Sequence, residues 1–383
     1  MNAKKQPKIT VAGAGFAALT GVRELRKHLP AADITLVAPQ PWFTYLPSLI
    51  WVPYGLRTRD DLRFDIRPLL RKLGVNYRQA AATGLSDDGR VLETEAGELD
   101  NDALLIATGG RYIRKLPGIE NTITICAGLD AAEKMGQGLR ELDSGTIAMG
   151  FGGNPKEPSA MRGGPMFELL FGLDTWLRKQ GRRDRFRLVF FTPAPEPGKR
   201  LGQNAVERMV GEMRRRGIET HLGHKITSFE NHVVTTEGGE IPADLIMFMP
   251  GLTGPAWIQG SPLPLSPGGM IQAEATAAVV GMERVYVAGD AGSFPGPDWM
   301  PKQAHMADLQ AAAAARNIAL NLDGKAATET FKVELLCIID SLDKGILVYR
   351  GEKRNLALPS MRALHWTKRM FERIYLRHLR AAG

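Results

Sequence analysis

Residues 8–18 read KITVAGAGFAA, an apolar strand that runs into a glycine turn. An amphipathic stretch at 17–28 and a second strand at 33–38, DITLVA, come next. This order of strand, helix and strand, with the pattern G-x-G-x-x-A in the first turn, is typical of a dinucleotide-binding unit. The second strand ends at Ala38, where an acid often holds a ribose, so that contact must come from the backbone or another residue. A glycine turn in another α/β fold is the alternative.

Each small residue of the turn has a physical reason to be there. Gly13 permits the tight bend, and Gly15 lets the backbone approach a pyrophosphate. The first helical residues, Phe16 and Ala17, would offer unpaired N–H groups to that anion, and the helix dipole favours negative charge there. Ala18 lets the helix pack closely against the strand.

Two further turns indicate which dinucleotide is bound. VYVAGD at 285–290 is a strand that ends in Gly289 and Asp290, like the distal motif whose aspartate meets the ribityl chain of FAD or its phosphate. Thr108 and Gly109 belong to an A-T-G turn, which is typical of the crossing between the two domains of such flavoproteins. Each motif is short, but their order and spacing together predict an FAD protein.

A second unit of this kind begins at residue 145. GTIAMGFGG at 145–153 is followed by a helical stretch at 165–180 and by the strand FRLVFFTP at 186–193. This strand ends without an acid for a 2′-hydroxyl and without arginines for a 2′-phosphate. Pro155 and Pro158 also disfavour a tight helix start. We interpret the unit as a nucleotide fold that has lost its nucleotide, with an NAD(P)H site as the alternative.

The two units predict an α/β chain with two Rossmann-like domains, as in glutathione-reductase-like flavoproteins. The FAD-binding domain is discontinuous, at 1–112 and 252–322, and the second domain covers 113–251. A C-terminal region with a basic amphipathic helix covers 323–383. The length of 383 residues agrees with more than one domain, because it exceeds what one hydrophobic core usually serves.

Composition argues against several other classes of protein. The net charge is +8, but the basic residues form no run interleaved with aromatics, so we expect no nucleic-acid partner. The two cysteines, Cys126 and Cys337, make neither a CxxC pair nor a zinc-ligand cluster, so we predict no metal site. No apolar run approaches 18 residues, and the first strand begins too early for a signal peptide. We therefore expect a cytoplasmic chain.

Several segments resemble the sulfide:quinone oxidoreductase family. They are WFTYLPSLIWV at 42–52, the triplet at 59–61, Met300-Pro301-Lys302, ELLCIIDSLDKG around Cys337, and TICAGLDAA around Cys126. The resemblance covers nearly the whole chain, and the shared order of the segments is its most specific feature. Flavocytochrome c sulfide dehydrogenase flavoproteins and type-2 NADH dehydrogenases are sister families.

The resemblance implies that sulfide or another sulfane-sulfur species is oxidised and that electrons pass through FAD to a quinone. Cys337 would lie next to the flavin and act as a thiolate nucleophile, with cationic neighbours lowering its pKa. Lys302 would lie near the flavin ring and stabilise its anionic reduced form. Cys126 is similar to a further cysteine of the family.

The family's central cysteine is missing from this chain. Alignment on the Gly-Pro pair at 164–165 and on Glu168 puts Arg162 in its place. Three explanations stay open: Cys126 partners Cys337, Cys337 works alone with an external sulfur acceptor, or sulfide is not the substrate. An arginine beside the flavin favours an anionic substrate, which makes Arg162 a candidate substrate-binding residue. The alternative functions are an NADH:quinone oxidoreductase and a flavoprotein electron-transfer or binding subunit without sulfide turnover.

Two further residues carry expectations about the flavin and the quinone. Tyr45 stands where the flavocytochrome flavoproteins attach FAD through a cysteine, so we expect non-covalent FAD. His305 follows Lys302 in the sequence and is a candidate proton donor near the quinone, with a packed histidine as the alternative.

Residues 361–380 predict an amphipathic basic helix. We expect one apolar face with aromatic margins, flanked by lysine and arginine; the face comprises Leu364, Met370, Phe371, Ile374 and Leu379, and the margins are Trp366 and Tyr375. This composition is typical of a helix at a membrane surface. Docking on the chain itself or on a second copy in a homo-oligomer is the alternative. Because a quinone lies in the bilayer, we predict a peripheral protein on the cytoplasmic face of the membrane.

Overall fold

The computed structural model describes residues 6–380, apart from the side chain of Cys126. The helices are α1 Phe16–His28, α2 Arg59–Leu62, α3 Arg67–Lys72, α4 Leu129–Glu141, α5 Gly164–Lys179, α6 Gln203–Arg215, α7 Ala304–Leu322 and α8 Arg362–Arg380. The strands of the first half are β1 Lys8–Ala12, β2 Asp33–Ala38, β3 Trp42–Thr44, β4 Arg63–Asp65, β5 Asn76–Gln79, β6 Ala82–Ser86, β7 Val91–Thr94, β8 Leu99–Asp100, β9 Ala103–Ile106, β10 Arg111–Tyr112, β11 Gly145–Phe151 and β12 Phe186–Thr192. Those of the second half are β13 Glu219–Leu222, β14 Ile226–Glu230, β15 Val233–Thr236, β16 Gly239–Pro242, β17 Leu245–Met249, β18 Leu252–Thr253, β19 Ile271–Gln272, β20 Val285–Val287, β21 Gly292–Ser293, β22 Leu335–Asp340, β23 Gly345–Arg350 and β24 Asn355–Ala357.

A parallel sheet with the order β20-β9-β1-β2-β5 forms around the first glycine turn. β9 is apolar and buried along its whole length and β1 is buried from Ile9 onward, because both faces of the sheet are covered. α1 and α7 pack against each other on the sheet. The sheet therefore joins strands from residues 8 to 106 with one from residues 285–287, as a discontinuous unit requires.

A second parallel sheet has the order β13-β12-β11-β17 and is covered by α5. α5 is buried along most of its length and carries Phe167, Leu170 and Phe171 into the core. Two parallel sheets with helices on them confirm the predicted α/β class. The short antiparallel pair of β10 and β18 lies where the chain passes between the two sheets, and the bounds of the domains stay a prediction.

The last part of the described chain forms an antiparallel sheet and one helix. β22, β23 and β24 make the sheet, and α8 packs against β22 and β23. This three-stranded sheet was not predicted. None of the helices within residues 6–380 is both long and apolar enough to span a membrane.

α8 differs from the single apolar face that we expected. Leu364, Leu376 and Leu379 are buried against the rest of the chain, whereas Phe371 and Met370 are more than half exposed. The predicted face was therefore wrong, because the apolar residues divide between a docked side and a solvent side. Helical periodicity could not distinguish the two sides, since apolar residues occur on both.

Candidate active site

The glycine turn after β1 closes tightly on the neighbouring strand. Gly13 has φ +123°, and a Cβ added there would lie 2.2 Å from the carbonyl oxygen of Ala107. Gly15 caps the N-terminus of α1 without a side-chain hydrogen bond, and a Cβ there would meet nothing within 4 Å. The first turn of α1 also lacks acidic residues. The turn therefore leaves uncapped N–H groups facing open space, which suits an anion.

A cleft of about 440 Å³ runs from this turn across the carboxyl ends of the strands. The predicted residues Gly13, Gly15, Phe16 and Thr108 line the cleft. Ala17 and Ala18 are buried behind it. Other lining residues were not predicted, among them Gln40 and Trp257.

Of these two residues, only Gln40 could have been found from the sequence. The indole Nε1 of Trp257 donates to Thr108 Oγ1 at 3.1 Å and so closes one side of the cleft. Gln40 follows β2 by two residues, near the position of the missing ribose acid. Its position after the strand was the only available signal, whereas nothing in the sequence connected Trp257 with the cleft.

The distal motif packs against the first glycine turn from residue 289 onward. A Cβ at Gly289 would lie 3.6 Å from the Cβ of Ala17, so the two motifs pack against each other. Gly110 also lies close to the distal motif: a Cβ added there would be 3.2 Å from the carbonyl oxygen of Asp290. Gly109 has φ +72° and open space around it. The three motifs therefore pack against one another.

Arg162 meets Asp290 at the far end of the distal motif. Their side chains form an ion pair, and both are mostly buried, at 18% and 15% exposure. The pair joins the segment before α5 to the distal motif. The candidate substrate-binding residue Arg162 therefore lies beside the predicted flavin-binding aspartate.

Lys302 completes a cationic group at this end. Its Nζ donates to the carbonyl oxygen of Gly292. Burial lowers the pKa of Lys302 to about 8; the carboxylates of Asp290 and Glu157 oppose this shift, and the charges of Arg162 and Arg200 contribute to it. An amine with that pKa is still mostly charged at neutral pH and can stabilise a nearby anion.

The loop between β11 and α5 occupies the place of a second nucleotide turn. Asn154 is buried and donates from Nδ2 to the carbonyl oxygens of Leu252 at 2.9 Å and Gly268 at 3.0 Å. A Cβ at Gly251 would lie 2.3 Å from the backbone of Gly153. The loop is thus folded tightly against residues 251–268, which favours the interpretation that this unit has lost its nucleotide.

Cys337 lies on β22, facing the start of α5. A Cβ at Gly164 would lie 3.9 Å from Cys337 Sγ, and Gly164 follows Arg162 by two residues. Burial and the charge of Glu168 together raise the pKa of the Cys337 thiol to about 12, although the charge of Lys368 opposes them. The expected thiolate with a lowered pKa was therefore wrong, because the anionic and apolar surroundings outweigh the cation.

A network of buried charges surrounds this thiol. Lys368 Nζ forms an ion pair with Glu168, and His365 Nδ1 donates to Asp340 Oδ2 at 2.7 Å. Asp340 has no exposed surface and also accepts a hydrogen bond from Trp51 Nε1 at 3.0 Å. Burial alone would raise the pKa of Asp340, but the bond from His365 and the charge of Lys368 hold it below its usual range. Sequence analysis missed this network because its members come from segments far apart.

The remaining predicted residues have separate surroundings. His305 is 40% exposed, and its Nε2 lies 2.8 Å from Glu334 Oε1. Tyr45 packs its ring 5.8 Å from that of Phe16 and 5.5 Å from that of Tyr375. The side chain of Cys126 lies outside the described part of the chain. The roles of these three residues stay predictions.

The residues of the cleft fit FAD. The uncapped α1 N-terminus and the open space at Gly15 suit a pyrophosphate, and Asp290 belongs to the distal motif that packs against this turn. Lys302 and Arg162 are positioned to balance negative charge at the far end. When bound, FAD supplies two-electron redox chemistry that the side chains alone lack.

Comparison with known proteins finds one similar family model and several similar quinone reductases. The family described as pyridine nucleotide-disulphide oxidoreductase matches residues 175–313. A sulfide-quinone reductase of Aquifex aeolicus is 25% identical over 358 residues, which cover 87% of this chain and 80% of the relative. A type II NADH:quinone oxidoreductase of Staphylococcus saprophyticus is 21% identical over 397 residues, covering 97% of this chain and 96% of the relative.

The solved structure of the sulfide:quinone oxidoreductase from Aquifex aeolicus has the same fold. It superimposes with a TM-score of 0.89 at 23% identity, covering 98% of this chain and 92% of that one. The matches in sequence and fold agree with the cleft built from the three glycine-containing motifs. The chain is an FAD-dependent oxidoreductase, and residues 175–313 are similar to the pyridine nucleotide-disulphide oxidoreductase family.

Proposed function

We propose that the protein oxidises sulfide or a related sulfur species and passes the electrons through FAD to a membrane quinone. The observation that carries this proposal is that Cys337 contacts the first residue of α5, two positions after Arg162. Arg162 pairs with Asp290, and the charges of both act on Lys302. The names of the similar proteins, sulfide-quinone reductase and type II NADH:quinone oxidoreductase, support a quinone as the acceptor.

In this proposal the chain's own residues bind and orient the sulfur species. Cys337 supplies the sulfur nucleophile, and Arg162 attracts an anionic substrate to the neighbouring position. Lys302 stabilises negative charge at the flavin end of the cleft, since a buried cation interacts strongly with a nearby anion. A sulfide-type anion suits this site better than a neutral donor because Arg162 and Lys302 both contribute positive charge.

Replacement of Cys337 by serine is expected to slow flavin reduction by sulfide on the order of a thousandfold, as loss of an essential nucleophile does. The measurement is anaerobic stopped-flow mixing of the FAD-loaded protein with sulfide, followed at the flavin absorption band. An unchanged rate in Cys337→Ser would exclude the thiol mechanism.

Arg162→Ala is expected to raise the sulfide concentration at half-maximal rate about tenfold, while Arg162→Lys keeps most of the affinity.

Anaerobic stopped-flow reduction of the flavin also distinguishes the two alternative functions. Rapid bleaching of the flavin by NADH would favour an NADH:quinone oxidoreductase, which the tightly packed 152–163 loop argues against. A protein that neither sulfide nor NADH reduces would fit an electron-transfer or binding subunit that needs a partner. Turnover with sulfide and a soluble quinone by the isolated chain would exclude that subunit.

We further infer that α8 holds the protein on the bilayer surface. Trp366, Met370 and Ile374 follow one another at intervals of four residues and are 63%, 55% and 46% exposed. The exposed arginines at positions 362, 373 and 377 accompany them. Aromatic and apolar side chains beside cations suit the headgroup zone of an anionic membrane.

The double variant Trp366→Ser/Phe371→Ser is expected to reduce binding to anionic vesicles at least about tenfold, because each side chain loses more than about 1 kcal/mol of apolar burial. Binding is measured by co-sedimentation. Val280→Ser removes an apolar residue that is 38% exposed outside α8 and is expected to leave binding unchanged. Equal sedimentation of the double variant and the parent protein would contradict the proposal, and a dimer lost in the variant would instead assign the face to a second copy.

A further inference from the structure

The flavin cleft contains no acid that could hold the adenosine ribose of FAD. Among the described residues that line the cleft, none carries a charged side chain; they are glycine, alanine, valine, leucine, proline, threonine, glutamine, phenylalanine and tryptophan. β2 ends at Ala38, where a carboxylate often binds the ribose hydroxyls of a dinucleotide. An uncharged group of this cleft must therefore hold those hydroxyls.

The backbone carbonyls at the end of β2 are already engaged. The carbonyl oxygen of Ala38 accepts from the N–H of Ala80 at 3.1 Å and from the hydroxyl of Tyr77 at 2.9 Å. These two bonds occupy both of its lone pairs. The carbonyl oxygen of Val37 accepts from the N–H of Gly13 at 2.8 Å. The end of the strand is thus a poor acceptor for a ribose, and the contact falls to a side chain.

Gln40 is the side chain of the cleft that suits a pair of hydroxyls. Among the described residues that line the cleft, it alone carries two polar side-chain atoms, whereas each threonine and each indole carries one. Its amide oxygen accepts hydrogen bonds and its amide nitrogen donates them, which matches two neighbouring hydroxyls. Gln40 is exposed, so a ligand in the cleft can reach the amide.

The backbone around Gln40 is rigid before a ligand binds. Pro39 and Pro41 flank it, and proline fixes its own φ at roughly −65°. The residue before a proline also favours an extended conformation. The carbonyl oxygen of Pro41 accepts from the N–H of Ile66 at 2.9 Å, which fixes the segment further. Gln40 therefore loses little backbone entropy when a ligand binds.

We infer that Gln40 determines the specificity for the adenosine ribose of FAD in place of the usual acid. Its Oε1 accepts a hydrogen bond from one ribose hydroxyl, and its Nε2 donates to the other. The cleft thus recognises the ribose without placing a negative charge near the pyrophosphate. This role is independent of the proposed sulfur chemistry, because it concerns only how FAD is held.

The inference is tested by exchange of the bound cofactor in the holoprotein. The protein is equilibrated with a mixture of FAD and an FAD analogue whose adenosine ribose lacks both hydroxyls, and the flavins released by heating are quantified by chromatography. The parent protein is expected to prefer FAD at least about tenfold, the effect of one or two neutral hydrogen bonds. In Gln40→Ala the preference is expected to fall to about twofold or less.

Gln40→Glu distinguishes a contact with the ribose from one with the pyrophosphate. A carboxylate accepts hydrogen bonds from both hydroxyls, so at the ribose the preference for FAD persists or rises. At the pyrophosphate, the new negative charge would expel FAD and the analogue alike, because like charges repel. A loss of both flavins from Gln40→Glu, together with the parent's preference in Gln40→Ala, would overturn the inference.

Gln137→Ala is the matched control for the loss of an amide. Gln137 lies on α4 and donates from Nε2 to Glu141 Oε1 at 2.7 Å. This variant is expected to keep the parent's preference for FAD. Equal preferences in Gln40→Ala and Gln137→Ala, or a parent protein that binds both flavins equally, would contradict the role of Gln40. A protein that shows the predicted preferences but is not reduced by sulfide would contradict the proposed function alone.

Discussion

Gly13→Ala protein is expected to be purified without its flavin. The added Cβ would lie 2.2 Å from the carbonyl oxygen of Ala107, and φ +123° is a conformation that residues with side chains rarely adopt. Relieving the clash must shift the turn away from β9, and the N–H groups of α1 move with it. The backbone strain alone costs about 1–3 kcal/mol, and the displaced turn loses its fit to the pyrophosphate. The ratio of flavin to protein absorbance, and FAD released on heating, measure the loss.

Gly211→Ala is the matched control for this change. Gly211 lies inside α6, has no unusual φ, and a Cβ there would meet nothing within 4 Å. This variant is expected to keep its FAD and to gain about 0.5–1 kcal/mol of stability, because alanine favours the helix. Full flavin content in Gly13→Ala would mean that the pyrophosphate is not held at this turn.

Asp340→Ala is expected to lower the free energy of unfolding by about 3–5 kcal/mol, the usual cost of removing one partner of a buried ion pair. The change leaves the Nε1 of Trp51 and the ring of His365 without their acceptor. Urea unfolding with excess FAD measures the loss, and faster tryptic cleavage within α8 reports the loosened helix. Because the pKa of Asp340 is held below its usual range, its contribution is lost as the pH falls through that lowered pKa. The free energies of unfolding of Asp340→Ala and of the parent protein should therefore converge at low pH.

Glu219→Ala is the control for the loss of a carboxylate. Glu219 pairs with Arg187 at 2.6 Å, but the two side chains are 50% and 43% exposed. A surface pair of this kind contributes no more than about 1 kcal/mol. If Asp340→Ala cost as little as Glu219→Ala, the buried network would not be what holds α8 in place.

The flavin cleft could be predicted from sequence because its chemistry is local. The helix expected from residue 17 begins at Phe16, and β20 ends two residues before Gly289. In each motif a strand, a turn and a small residue lie within a few positions, so spacing alone fixes their relation. The contact between Ala17 and Gly289 then follows from parallel strands of one sheet, whose carboxyl ends share an edge.

The thiol site could not be predicted in the same way. The acidity of Cys337 depends on Glu168 from α5 and on Lys368 from α8, and nothing near Cys337 in the sequence indicates either neighbour. The sequence indicated Arg162 as a candidate site residue, but its ion pair with Asp290 depends on how the two sheets meet. The surroundings of Cys337 and the ion pair of Arg162 therefore depend on long-range packing, which short motifs do not encode.

The ion pair between Lys368 and Glu168 can form only late in the synthesis of the chain. The two residues are 200 positions apart. At about 5–20 residues per second, synthesis of that interval takes on the order of 10–40 seconds. During this time α5 exists without its cation, and its buried carboxylate must stay hydrated or protonated. The flavin-binding sheet can be complete once residues up to about 322 have been made, whereas the environment of the reactive sulfur forms only after residue 368 has left the ribosome.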